Sequence, residues 1–309
     1  MKPVVAISIG DINGIGVEVA LKAHETISRW CTPLYFTNYE LLQQAAKMLH
    51  MKLPEDIEVE FVEGRFSIKP GKVSKKSGKY SFRSFQKALD FTTKGICNAL
   101  VTLPIHKEAW MKADIPYKGH TDYLRKYFKK EAIMMLGCEK LYVALFTEHI
   151  PLKKVPKKIQ KKRLTKFLIS FFQSESPALP VAVLGLNPHA GDGGALGDEE
   201  KKIRKAIQKA NEKLGKEAFF GPVVPDIAFT PNVRKNLSHI VALYHDQGLS
   251  PLKALYFDES INVSLNLPII RTSPDHGTAF DIAYKGLADP TSYINAVRYA
   301  VDKISSNAP

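Results

Sequence analysis

Residues 4–18 read VVAISIGDINGIGVE: a short apolar run, a turn carrying Gly10, Gly14 and Gly16, and then the opening of a helical pattern. A run that is continuously apolar, rather than alternating, is what a strand covered on both faces looks like. Strand, glycine turn and helix in that order make the repeating unit of an α/β fold. The turn is not a G-x-G-x-x-G fingerprint, and no P-loop G-K-[ST] occurs. It therefore reads equally as a helix start offering backbone N–H groups to an anion and as a tight strand-to-helix turn.

The same alternation continues along the 309 residues. Strands are expected at Val4–Ile9, Leu34–Thr37, Ile57–Val62, Ala99–Leu103, Tyr142–Thr147, Val181–Leu186, Ile240–Tyr244 and Ile261–Leu265. Helical patterns fill about 15–28, 39–50, 82–95, 120–129, 157–173, 198–214 and 290–304. This predicts a largely parallel sheet, and a prior of roughly 150 residues per domain makes it two domains or one large one. The stretch KPGKVSKKSGK at 69–79 reads as an exposed, mobile loop.

Lys plus Arg is 44 against 31 Asp plus Glu, a net charge of +13. The excess is confined to two segments. Residues 65–79 carry six cations and 153–166 carry eight, with no acid in either. Neither interleaves aromatics for base stacking, so a solvated basic surface is expected and a nucleic-acid partner is not. No apolar run approaches the ~18 residues that span a bilayer, and the N-terminal run is too short for a signal peptide. Cys31, Cys97 and Cys138 are scattered and odd in number, which argues against a disulfide framework or cysteine–zinc site and for a reducing cytosol.

Three histidines share one setting. His149 follows the strand at 142–147, His189 follows 181–186 in NPHAG, and His245 follows 240–244 in YHDQG. Ligands of open parallel sheets collect at the carboxyl ends of strands, where three imidazoles can form a divalent metal site. One such histidine alone would be read as a strand cap. Near the end, RTSPDHGTA at 271–279 leads into a helix expected near Phe280; Arg271 offers a planar fork to phosphate or carboxylate. GHTD at 119–122 opens another helix, with Thr121 or Asp122 as its expected cap.

GHTDYL at 119–124, NPHAGDGG at 187–194, YHDQGLSPLK at 244–253 and LPIIRTSPDHGTAFDIA at 267–283 together resemble the 4-hydroxythreonine-4-phosphate dehydrogenase family of vitamin B6 biosynthesis. The likeness runs from residue 4 to about residue 300. More distantly, GDINGIGVEV at 10–19 and DHGTAFDIAYKGLADP at 275–290 look like the glycine turn and cofactor loop of isocitrate and isopropylmalate dehydrogenases. Phe280 and Tyr284 stand where those enzymes usually have proline and glycine, and Asp11-Ile12-Asn13 departs from the commoner Asp-Pro-Ala.

The resemblance implies a two-domain α/β/α fold like that of the isocitrate and isopropylmalate dehydrogenases, with the active site in the interdomain cleft. One domain would comprise 1–118 plus 273–309, the other 119–272. It implies metal ligands at His149, His189 and His245, and substrate-binding residues at His120, Thr121, Lys253, Asn262 and Arg271. Gly14, Asp275, His276, Gly277, Thr278 and Ala279 would line NAD or NADP. Lys253 or Asp246 would relay the proton, and zinc, magnesium or cobalt would serve as the divalent metal. A homodimer with its site at the subunit interface is implied, and a cytoplasmic location is expected. The implied reaction is oxidation of 4-phosphooxy-threonine to a 3-oxo acid that decarboxylates. A related phosphorylated four-carbon acid, such as 4-phospho-erythronate, or a dihydrodiol, is the alternative substrate; a metal hydrolase would leave 275–290 unexplained.

Overall fold

A computed structural model describes residues 2–306. The chain divides into two compact units: one runs to Lys130 and resumes at Ile261, and the other is Glu131–Ser260.

The first unit holds strands β1 (Val4–Ser8), β2 (Thr32–Thr37), β3 (Glu58–Phe61), β4 (Ala99–Thr102), β10 (Ile261–Leu265) and β11 (Arg271–Pro274), in spatial order β3-β2-β1-β4-β11-β10. All their pairings are parallel except β10 with β11. Helices α1 (Gly16–Ser28), α2 (Tyr39–Met48), α3 (Lys75–Thr93), α4 (Lys107–Lys112), α5 (His120–Phe128) and α12 (Thr291–Ser306) accompany them. Helices α3 and α4 pack on one another, and α12 lies on β11, β4 and β10. Every residue of β4 is buried, as is all of β1 after Val4, which accounts for their continuous apolar sequence.

The second unit orders its strands β5 (Ile133–Cys138), β6 (Leu141–Leu145), β9 (His239–Ala242), β7 (Val181–Leu184) and β8 (Phe219–Val223), with only β5 and β6 antiparallel. Its helices are α6 (Val155–Lys158), α7 (Lys161–Glu175), α8 (Glu199–Leu214), α9 (Pro225–Ala228), α10 (Pro231–Arg234) and α11 (His245–Tyr256). Leu136, Val143, Leu184, Ile240 and Leu252 belong to its core.

All eight expected strands form, and the structure adds β5, β8 and β11. Other expectations are corrected. The mobile loop at 69–79 is half helix: Ser74 caps α3 by accepting from the Ser77 amide at 3.1 Å, so the helix starts at Lys75, not at 82. Ser77 and Gly78 are buried, with Gly78 against the Ala109 carbonyl, and the flanking Lys75, Lys76 and Lys79 are exposed. Helix α5 is capped by neither Thr121 nor Asp122; it begins at His120 behind Gly119. No helix starts near Phe280, where turns run on until α12. The approximate domain limits expected at 118/119 and 272/273 stand beside compact units that divide at 130/131 and 260/261, so that α5 and β10 fall in the first unit. Among the described residues no helix is long and apolar enough to cross a membrane.

Candidate active site

The first unit buries a cation without a counter-charge. Arg271, on β11, is 3% exposed and makes no ion pair among the described residues. Strands β4 and β10 flank β11, and each supplies a hydroxyl: Arg271 Nη2 donates to Thr102 Oγ1 at 2.6 Å and Nη1 to Ser264 Oγ at 3.0 Å. Its Nε is buried and has no partner. Burial brings the guanidinium down to about 10, still fully charged at neutral pH.

His120, the first residue of α5, lies beside it. Its ring meets Phe85 edge-on at 4.6 Å and Trp110 at 5.5 Å, and its Nδ1 is 3.5 Å from Arg271 Nη2. Arginine only donates, so Nδ1 is the acceptor and the proton sits on Nε2, which is buried and unpartnered. Burial first, and the Arg271 charge second, hold His120 well below its ordinary value, so it is neutral. Asn262 Oδ1 is a further buried polar atom without a partner, and Thr121 is half-buried one residue along α5. An unpaired buried cation ringed by neutral polar groups is arranged to receive an anion.

In the same unit the glycine turn is closed by other chain segments. Gly10, at φ 68°, lies against the Pro104 carbonyl, and the Asp11 amide donates to that carbonyl at 2.8 Å. The Gly14 amide donates to Asp11 O at 2.9 Å, and the Ile15 amide to Thr278 O at 3.0 Å. A Cβ on Gly14 would fall 2.7 Å from that Thr278 oxygen. Gly14 thus serves close packing on the 275–279 loop. The loop itself keeps open space at Gly277, where a Cβ would meet nothing within 4 Å. His276 Nδ1 donates to Gly277 O at 3.0 Å, which leaves its buried Nε2 as an unpartnered acceptor. Asp275 donates its amide to Ser292 Oγ at 3.0 Å, and Ala279 stands at φ 41°. An open glycine beside an orphaned buried acceptor fits a polar ligand such as a dinucleotide.

The second unit carries the three histidines. They follow β6, β9 and β7, which are adjacent and parallel, so all three leave the same sheet edge. His149 and His245 have ring centroids 5.5 Å apart. His245 opens α11, and its Nδ1 donates to Asp246 Oδ1 at 2.7 Å, which leaves Nε2 with a lone pair. A carboxylate fixing one ring nitrogen so that the other is free for an ion is the usual support of a metal-bound histidine. His189 is exposed and lies in a left-handed stretch: φ is 53°, 51°, 83°, 42° and 67° from His189 to Gly193. For non-glycine residues that conformation costs roughly 1–2 kcal/mol each, and strain of this kind gathers at functional loops. The loop is tethered by Glu200 Oε1, which accepts from the Leu186 and Asn187 amides at 2.9 and 2.8 Å. Among the described residues no three His, Cys, Asp or Glu converge on one point, so the structure pairs two of the three histidines. Lys253, in α11, lies over the Phe257 ring at 5.7 Å.

Three features escaped the sequence. Thr102 and Ser264 sit in ordinary strand positions, and the left-handed turn was visible only as the density of glycine in NPHAGDGG. The third is Asp11, buried with Oδ2 unpartnered, whose carboxyl burial pushes above the ordinary range.

Comparison with known proteins agrees with the likeness. The family model of the pyridoxal phosphate biosynthetic protein PdxA matches residues 29–300. The 4-hydroxythreonine-4-phosphate dehydrogenase of Sulfurimonas denitrificans is 58% identical over 96% of this chain and 96% of its own. That of Campylobacter fetus is 57% identical, with 97% of each chain covered. A crystal structure of the Klebsiella pneumoniae 4-hydroxythreonine-4-phosphate dehydrogenase superposes with a TM-score of 0.82 at 29% identity, covering 98% of both chains. A β-decarboxylating dehydrogenase of Thermococcus kodakarensis shares the fold, at 16% identity, TM-score 0.53 and coverage of 99% and 84%. With a family match that takes in most of both units, the chain belongs to the PdxA family of pyridoxal phosphate biosynthetic proteins.

Proposed function

We propose that the chain oxidises the carbon-3 hydroxyl of 4-phosphooxy-threonine with NAD or NADP and a divalent metal. The product, 2-amino-3-oxo-4-phosphooxybutanoate, loses carbon dioxide to give 3-amino-2-oxopropyl phosphate. The observation that carries this reading is the buried Arg271 guanidinium with no counter-charge. A phosphorylated, carboxylated substrate supplies the missing charge, and an uncharged dihydrodiol does not. The names of the near relatives give the substrate class.

Arg271 and the Nε2–H of His120 bind an anionic group of the substrate, and Asn262 and Thr121 would add polar contacts to the substrate. His149, His245 and His189 would hold the metal, which supplies Lewis acidity at the substrate hydroxyl. His245 is oriented for this by Asp246. Lys253 or Asp246 would relay the hydroxyl proton. Residues 275–279 would hold the nicotinamide cofactor, which supplies the hydride acceptor. The protein works as a cytoplasmic homodimer.

The test is a substrate panel with the purified protein, following NAD(P)H formation with 4-phosphooxy-threonine, 4-phospho-erythronate and a cis-dihydrodiol. Turnover of 4-phosphooxy-threonine that is lost in chelator and restored by Zn²⁺, Co²⁺ or Mg²⁺ is expected. Preference for a cis-dihydrodiol that carries no carboxylate would overturn the reading of Arg271.

A further inference from the structure

We propose that Thr102 and Ser264 are positioning residues: they set the Arg271 guanidinium from both neighbouring strands, and through it fix which nitrogen of His120 carries the proton. The inference rests on Arg271 and His120 being the anion-binding pair, and extends that reading to two residues that do not touch the substrate.

The sheet register brings these groups together. In the β10–β11 pair Val263 stands opposite Thr272, which places Ser264 opposite Arg271. On the other side, Arg271 pairs with Leu100 of β4, and Thr102 is two residues farther along that strand. Side chains alternate along a strand, so Ser264, Arg271 and Thr102 all project from one face of three adjacent strands. Thr102 is 1% and Ser264 3% exposed, and both hydroxyls are engaged by the guanidinium in the resting fold. Each accepts from one terminal nitrogen of the guanidinium.

The consequence passes to His120. Arg271 Nη2 is shared between Thr102 Oγ1 and the long contact to His120 Nδ1. Holding Nη2 at that point keeps a donor facing Nδ1, which is compatible only with the Nε2–H tautomer. The seat then offers two unpartnered buried donors, Arg271 Nε and His120 Nε2. Without the Thr102 hydroxyl, Nη2 loses its acceptor, the guanidinium tilts, and the tautomer is no longer held. Hydrogen bonds to charged groups are worth about 1.5–3 kcal/mol, so removing one is expected to cost roughly tenfold to a hundredfold in anion affinity.

The experiment uses the full chain. Inorganic phosphate binding is measured by calorimetry for wild type, Thr102→Val, Thr102→Ser, Ser264→Ala and Arg271→Ala, with thermal midpoints and steady-state kinetics beside it. The His120 tautomer is read from its ring nitrogen shifts by NMR. Thr102→Val is expected to weaken phosphate binding by roughly tenfold or more, to raise KM with kcat within a few-fold, and to shift His120 from a single Nε2–H tautomer to a mixture. Thr102→Ser is expected to restore all three, which a merely structural role for the threonine would not require. Ser264→Ala should weaken phosphate binding in the same direction, and it carries the test if Thr102→Val does not fold. Wild-type phosphate affinity and an unchanged tautomer in whichever of Thr102→Val and Ser264→Ala fold would overturn the proposal. If instead Arg271→Ala itself binds phosphate normally, the underlying assignment of Arg271 to the substrate fails.

Discussion

Two glycine substitutions separate packing from ligand contact at the proposed cofactor loop. In Gly14→Ala the new methyl carbon would sit 2.7 Å from Thr278 O, 2.9 Å from Thr278 Cβ and 3.3 Å from Phe280 Cε1. The Thr278 oxygen cannot retreat without losing the bond it accepts from the Ile15 amide, and the Phe280 backbone is itself held close against Gly71. Overpacking of this kind costs about 1–3 kcal/mol, which lowers the thermal midpoint by roughly 3–10 °C for a unit of this size. The loop shifts with it, so NAD(P) affinity falls as well. Gly277→Ala is the contrasting case: its Cβ meets nothing within 4 Å, and its backbone is not left-handed. Its midpoint should hold or rise slightly, since a stiffer unfolded chain adds about 0.4–1 kcal/mol of stability. If residues 275–279 line the dinucleotide, the same methyl weakens NAD(P) binding by roughly tenfold, about 1.4 kcal/mol. Differential scanning fluorimetry and a fluorescence titration with NADH and NADPH read both quantities. Wild-type NAD(P) affinity in Gly277→Ala would refute the cofactor role of the loop. An unchanged midpoint in Gly14→Ala would refute the packing argument.

His189→Ala and His149→Ala should each lose bound zinc by metal analysis and lose turnover, while their circular dichroism stays that of the wild type; full zinc occupancy in either would remove that histidine from the ligand set. Ala190→Gly relieves one left-handed alanine, at φ 51°, and should raise stability by about 1 kcal/mol in urea unfolding. Neutralising Lys157, Lys158, Lys161 and Lys162 should change solubility but leave turnover within about tenfold, or 1.4 kcal/mol of barrier, because all four are exposed on α6 and α7. Asp11→Asn tests the buried carboxyl. Burial raises its folded value above the ordinary one, partly offset by the Asn13 amide, the Ser77 hydroxyl and His106. Its contribution is therefore complete below about pH 4 and is lost as pH rises through the raised value. The variant should gain thermal stability over wild type at pH 7 and above, with the gain vanishing near pH 4; a gain that instead grew toward acid would reverse the assigned direction.

What could be read from the chain in advance follows the range of the forces involved. Periodicity and continuous apolar runs are local, and so all eight strands expected from them form, including β1, β4 and β9, which are buried along nearly their whole length. Of the other three strands, β5 carries that signal in its continuously apolar, buried run Ile133–Leu136, whereas β8 is broken by Gly221 and Pro222 and β11 has no apolar run. Strand β11, RTSP, ends in proline and starts with an arginine, and it is a strand only because β4 and β10 lie on either side of it. The basic stretch at 69–79 misled for the opposite reason: its lysines dominate the composition, while the buried Ser77 and Gly78 and the Ser74 cap decide the conformation.

The site shows the same division. Each histidine at a strand end could be picked out one at a time, but that their strands are neighbours, in the order β6-β9-β7, is a property of the sheet. Arg271 could be named from its motif, whereas its lack of a counter-charge could not, because a missing partner shows only when the surroundings are known. That lack is the most informative property of the site. A protein pays the desolvation of a buried guanidinium without an acid beside it only where something else supplies the negative charge. Had Thr102 or Ser264 been aspartate, the cation would be satisfied in the resting fold and would offer little to an incoming anion. Two hydroxyls in those positions orient the guanidinium without neutralising it, and that combination makes this corner of the first unit a binding site rather than a structural ion pair.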